Sequence, residues 1–185
     1  MRAQPRKEHL LDTAFDLFNQ HGYHATGIDL ILEKSKVSKA TMYKHFRSKD
    51  ELVMAVLKRR HNQVLQQITT SLDNADASAQ QPVLAIFDML FNWFQSDDFY
   101  GCNFIKATGE FLNQHEVHQF AVAHKQQIRD LIFQYIQQND SYLKAKQADT
   151  LSLLVNGAII NAQLSNSATP AIDAKNIAQL VLQHD

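Results

Sequence analysis

Along this chain the apolar residues recur every three or four positions, and no stretch alternates apolar with polar as a half-buried strand would. That pattern confines the chain to helices packed on helices. Leu10, Leu11, Ala14, Phe15, Leu17 and Phe18 build a first broad apolar face. Leu52, Val53, Val56, Leu57, Val64, Leu65, Ile68 and Leu72 build a longer one. Only 5 Gly and 3 Pro interrupt 185 residues that are 45% hydrophobic, so the breaks between helices are few. One Cys excludes an internal disulfide framework and a Cys-rich zinc site. No apolar run reaches the ~18 residues of a membrane span. The charged start, Met1 to Lys7, has no apolar stretch behind it, so a soluble cytoplasmic protein is expected.

The breaks predict about nine helices. The first runs from about Arg6 to Gln20 and stops at Gly22, a residue suited to a left-handed C-terminus. Thr26 is placed to cap a short second helix bearing Ile28, Ile31 and Leu32, which Ser35-Lys36-Val37 ends. Ser38 is placed to cap a third, carrying Ala40, Met42, Tyr43 and Phe46. Ser48-Lys49-Asp50-Glu51 reads as a capping box, in which Ser48 and Glu51 each take the other's backbone N–H, and it opens a long fourth helix. A polar loop over residues 73–78 follows. Pro82 opens a fifth helix ending near Gln95, and later helices are expected over about 103–112, 116–138 and 145–164, with a ninth at the C-terminus.

The net charge of -1 conceals a split. Residues 1–60 hold 12 Lys and Arg against 7 Asp and Glu; residues 61–185 hold 6 against 12. A basic end on an acidic body suits contact with a polyanion. Within the basic end, Thr26 to Phe46 reads as two short helices joined by a tight turn. Ile28, Ile31, Leu32, Val37, Met42 and Phe46 take its buried positions. Lys39, Thr41, Tyr43, Lys44 and His45 are left on the outer face of the second helix, a hydrogen-bonding, cationic set that suits a major groove.

This segment resembles the TetR family of bacterial one-component transcription regulators. The likeness lies in the run from Val37 to Leu52, a Val-Ser-x-x-x-hydrophobic-Tyr-x-x-Phe pattern followed by Lys-Asp-x-Leu, and in Phe18-Asn19-Gln20-His21-Gly22-Tyr23. The resemblance implies an all-α protein: an N-terminal three-helix helix-turn-helix DNA-binding domain and a C-terminal helical ligand-binding and dimerisation domain. It implies phosphate contacts for Thr26, Tyr43 and Lys49, and places Ser38, Lys39, Ala40, Thr41, Lys44 and His45 on the recognition helix. For Tyr43 a core role is the alternative, and for His45 a solvated surface histidine. The chain departs from the family at Lys36, where Gly is usual and a left-handed backbone costs ~1 kcal/mol, and at Gly27, where Thr or a β-branched residue is common.

Farther on, seven of the 17 aromatic residues fall between Pro82 and Phe104. Phe87, Phe91, Trp93, Phe94, Phe99, Tyr100 and Phe104, with Cys102, His118 and Asn156, are the candidates for an apolar ligand site; plain core packing is the alternative. Asn103, Thr108 and His124 are further polar candidates. The spacing directs most of the nearby charges, Lys106, Glu110, Lys125 and Arg129, outward. Cys102, beside Gly101 at a helix start, reads either as a reactive thiol or as a small packing residue. His115 and His118 lack a clear third ligand, so no metal and no other cofactor is expected. Tyr100 to Phe111, His115 to Leu131 and Leu154 to Ala158 extend the family resemblance over most of the chain.

Leu151, Leu154, Val155, Ala158, Ile159 and Ala162 form an apolar face in the eighth helix, and Ile177, Leu180 and Val181, with Ile172, form one in the ninth. The resemblance implies that this pair meets its copy in a homodimer; packing within one chain is the alternative. The expected division is a DNA-binding domain at 1–47, a linking helix at 48–74, and a ligand-binding and dimerisation domain at 75–185. No phosphate loop, activated nucleophile or metal triad appears, so an enzyme is not expected. The resemblance implies a repressor that a small, mostly apolar effector releases from palindromic double-stranded operator DNA. It would be cytoplasmic, nucleoid-associated when bound, and without a membrane partner. A constitutive helix-turn-helix adaptor that recruits a protein is the alternative.

Overall fold

The computed structural model describes residues 4–75 and 81–183, so residues 76–78 of the expected polar loop lie outside the described residues. Among the described residues there are nine α-helices and no strand. They are α1 (Gln4–His21), α2 (Ile28–Ser35), α3 (Lys39–His45), α4 (Lys49–Asp73), α5 (Ala85–Phe94), α6 (Asn103–Glu110), α7 (His115–Tyr135), α8 (Ser141–Ser165) and α9 (Thr169–Gln183). A 3-10 turn, Pro82–Leu84, precedes α5. No described helix is long and apolar enough to cross a membrane.

Capping chemistry sets several boundaries. Gly22 ends α1 with φ +86, its N–H bonded to Phe18 O at 3.0 Å. Ser38 Oγ caps α3 by accepting from Thr41 N at 3.2 Å. Asp140 caps α8 through Leu143 N at 2.9 Å, which starts that helix four residues before the expected Ala145.

Two expected caps differ. The N-cap of α2 is Gly27, without a side-chain bond, rather than Thr26. The Thr26 hydroxyl turns inward instead, 2.7 Å from Gly22 O and 3.2 Å from Leu17 O, and satisfies carbonyls at the end of α1. The capping box at Ser48 is only half formed. Ser48 Oγ accepts from Glu51 N at 3.1 Å, but the Glu51 carboxylate takes Arg47 N at 2.6 Å, one residue earlier than the reciprocal bond requires.

The chain forms two compact units. One is the chain up to Asn62 together with Asn103–Ala121, so α6 and the start of α7, distant in sequence, join α1, α2, α3 and the first part of α4. The sequence reading instead divides the chain in order, at 47 and 74. Leu10, Ala14, Phe18, Tyr23, Ile31, Met42, Leu52 and Val53 are fully buried in this unit. Burial of each of the Leu, Ile, Val, Phe and Met side chains among them contributes ~1.5–3 kcal/mol. Arg59 of α4 also pairs with Asp12 and, at 3.5 Å, with Glu8 on α1.

The other unit is Gln63–Cys102 together with the chain from Val122. Here α9 packs on α8 and α5. Ala171, Ala174 and Ala178 keep α9 thin at that seam, and Lys175 closes its edge on Asp88 at 2.6 Å. Arg129 ties α7 to α8 through Asp149 at 2.8 Å and Ala145 O at 3.3 Å. Tyr135 donates to Asp73. That bond, with desolvation and the carboxylate's charge, holds the tyrosine pKa above its usual value.

Candidate functional site

The third helix presents the expected face; on the second, Ile31 is buried but Ile28 and Leu32, expected to be buried, are only half-buried. Met42, Val37 and Phe46 are buried, while Ser38, Lys39, Ala40 and Lys44 are exposed and Thr41 and His45 are half-exposed. Tyr43 is 42% exposed, so it is not a core aromatic. Its hydroxyl and the ammonium groups of Lys39 and Lys44 form a donor set on one short helix whose start Ser38 fixes. Lys49 Nζ lies 3.4 Å from His24 O, which holds it beside the loop that leads into α2. Thr26 departs from the expectation. It is fully buried and its hydroxyl is committed to backbone carbonyls, so it presents no donor to a phosphate.

A second set of residues holds that loop, and the sequence reading directed most of its charges outward. Glu110 on α6 accepts from Tyr23 N at 3.0 Å and from His24 N at 2.5 Å. The His24 ring, Nε2 to Glu110 O at 2.5 Å, faces Phe111 at 4.8 Å. Lys106 Nζ donates to Asn19 O at 2.6 Å, and the Asn103 amide donates to Asn19 Oδ1 at 3.2 Å. Buried Tyr23 donates to Asn103 O at 3.2 Å. Thus α6 grips the end of α1 and the segment before α2 by side chains. These partners lie 80 or more residues apart in sequence, beyond any local spacing rule.

The aromatic candidates separate. Trp93, Phe94 and Phe99 form a triad, with Phe99 edge-on to Trp93 at 4.9 Å and tilted on Phe94 at 4.8 Å. Phe87 is buried on α5, Phe91 is half-buried, Tyr100 is exposed and Cys102 is buried. Phe104 and His118 belong to the other unit, where Phe104 faces Phe120 at 6.2 Å and His118 is exposed. Asn103 and Thr108 lie in that same unit. Asn156 takes the Lys125 ammonium at 2.5 Å in a half-buried pair on α8 and α7, so Lys125 does not point freely outward.

On α8, Leu151, Val155, Ala158, Ile159 and Ala162 are already buried within the single chain, and Leu154 is half-buried. A different stripe lies open: Leu153 (72% exposed), Ile160 and Leu164 (80% exposed), with half-buried Gly157 between them. On α9, Ile172, Ile177 and Leu180 are exposed and Val181 is half-buried.

The profile of bacterial regulatory proteins of the tetR family matches residues 10–56. The transcriptional activator FasR of Mycolicibacterium smegmatis is 35% identical over 96 residues, 50% of this chain and 42% of that protein. The transcriptional repressor NemR of Escherichia coli is 30% identical over 105 residues, 56% of this chain and 53% of that protein. The match thus spans about half the length of these curated relatives. A TetR-family transcriptional regulator from Streptomyces coelicolor superposes with a TM-score of 0.87 at 27% identity, over 97% of this chain and 95% of that one. Residues 10–56 are a TetR-family DNA-binding segment, and the chain shares the fold of that TetR-family regulator. The TetR profile takes in every expected DNA contact, from Thr26 to Lys49, and stops before the aromatic triad and the open stripe on α8.

Proposed function

We propose that this chain is a dimeric TetR-family transcriptional repressor that a small, mostly apolar ligand releases from a palindromic operator. The observation that carries the reading is the exposed Lys39–Tyr43–Lys44 face of α3, rigidly started by Ser38, inside the TetR match. Two copies related by a two-fold axis present two such helices to half-sites about one helical turn, ~34–36 Å, apart. The open apolar stripes of α8 and α9 supply the self-complementary surface for that pairing, with Gly157 leaving room for close approach.

For release, the Trp93–Phe94–Phe99 triad offers ring faces to an aromatic or lipophilic molecule, and half-buried Lys125 and Asn156 are the polar groups beside α8. Three residues join Phe99 to Asn103, the first residue of α6, and α6 holds the loop before α2. A ligand that prefers one position of Phe99 thereby biases one placement of α2 and α3. In this reading residues 1–47 read DNA, 48–74 link, and 75–185 sense and dimerise, with the α6 grip serving the first part.

The test is a titration of the full chain against a duplex carrying the DNA immediately upstream of its own coding sequence, repeated over a series of salt concentrations. Tight binding with a steep fall of log K against log salt, and preference over a scrambled duplex, is expected. A flat salt dependence, or equal affinity for the scrambled duplex, defeats the reading.

A further inference from the structure

Four positions in the described chain have a left-handed backbone: Gly22, Gly101, Asn166 and Lys36. Glycine adopts that conformation without steric cost, and Asn more readily than other side chains. Lys36, with φ 55 and ψ 21, is the exception. It is the C-cap of α2 and stands two residues before Ser38, the N-cap of α3.

Among the described residues nothing rewards a lysine there. The side chain is exposed, and among the described residues no carboxylate or carbonyl holds its ammonium. Neighbouring Lys34 has Glu33 at 3.9 Å, whereas Lys36 has no such partner among the described residues. The residue therefore strains the turn and gains no internal contact in return. Strain of this kind persists where the residue serves something outside the fold.

We propose that Lys36 is a DNA phosphate contact, one per protomer, set at the entry of the recognition helix. The inference rests on the DNA-binding reading above. A phosphate rather than a base is the target because Lys36 precedes α3 and lies outside its Lys39–Lys44 face, and a lysine is a compact charge on a flexible stem.

The experiment compares the full-length parent with Lys36→Gly, Lys36→Ala and Lys36→Arg. Each is melted, then titrated with the upstream duplex and its scrambled counterpart across salt. Lys36→Gly relieves the strain and removes the cation. Its Tm should rise by ~2–4 °C. Its affinity should fall about tenfold for both duplexes at moderate salt, and the dimer's log–log slope should become shallower by ~2. Lys36→Ala keeps the strain and removes the cation, so it should bind like Lys36→Gly but melt like the parent. Lys36→Arg should retain the parent's affinity and slope. Parent-like affinity and slope in both neutral variants overturn the proposal, as does a loss confined to one of the two sequences. If the parent itself binds neither duplex, the DNA-binding reading fails and this inference falls with it.

Discussion

Gly22 and Glu110 share one small space. A Cβ on Gly22 would lie 2.8 Å from Glu110 Oε1, and the backbone there has φ +86, so any side chain would be both strained and in the way of the carboxylate. The carboxylate in turn accepts from two successive N–H groups, Tyr23 and His24, in the segment that leads to α2. Removing it by Glu110→Ala leaves the part-buried Tyr23 N–H without its acceptor, while water replaces the bond at exposed His24. The expected cost is ~1–2 kcal/mol of stability, a fall of a few degrees in Tm. Duplex affinity should drop by more than the stability loss explains, because His24 also carries the carbonyl that holds Lys49. Thermal melts beside duplex titrations check both, and unchanged affinity in a destabilised variant would confine Glu110 to a folding role. Sequence reading named Gly22 as the stop of α1 from its type alone. It missed the Glu110 clamp because a carboxylate at the end of a short helix resembles a solvated charge, and its partners are 86–87 residues away. Thr26 shows the complementary error: its hydroxyl is within reach of both a helix start and the previous helix's carbonyls, and only packing decides between them.

Among the elements, α8 is apolar on nearly every side: Leu151, Leu153, Val155, Ala158, Ile159, Ile160, Ala162 and Leu164 all lie on it. Helical periodicity cannot say which side faces the chain's own core when apolar residues lie on nearly every side, and such a helix needs partners on more than one side. Expectation assigned the Leu151–Ala162 face to a second copy, but α9 and α5 already lie in contact with α8 and that face is buried. The open stripe through Leu153, Gly157, Ile160 and Leu164 is the surface left for a partner, and a Cβ on Gly157 would meet no atom within 4 Å. The two faces separate by mutation. Ile160→Arg should leave the fold intact and yield a monomer, since an unpaired charge is costly only once an apolar interface closes over it. Ala158→Arg should instead collapse the Tm, because that position is 5% exposed within one chain. Sedimentation of both variants at micromolar concentration, with circular dichroism, distinguishes them. A dimeric Ile160→Arg would place the interface off this stripe. Helix starts are more legible than faces: Ser38 and Ser48 cap through bonds to residues three positions ahead, a purely local signal, whereas the same signal at Asp140 lies four residues before the start expected at Ala145.

For the molecule as a whole, the order of nine helices could be read along the chain, but the composition of its compact units could not. The first unit takes α6 from the middle of the sequence through Asn103, Lys106 and Glu110, all long-range partners of α1 and its following loop. In the proposed function that arrangement is the coupling route, and the coupling is measurable. Trp93 is the only tryptophan and stands 4.9 Å from Phe99, so its emission reports directly on the ring triad. Titration with a panel of small aromatic and lipophilic compounds should shift that emission, raise the Tm of the free protein, and weaken the upstream duplex by roughly 5–150-fold, the usual range of a coupling free energy of ~1–3 kcal/mol. Linkage then fixes the reverse experiment. Saturating duplex must weaken the compound's binding, read by Trp93, by the same factor. Phe99→Ala should reduce both factors together while leaving duplex affinity without compound close to the parent value. A compound that weakens DNA binding with no reciprocal loss of its own affinity is acting on the DNA or on the unfolded chain. In that event the triad is packing, and the constitutive adaptor becomes the better account of the body.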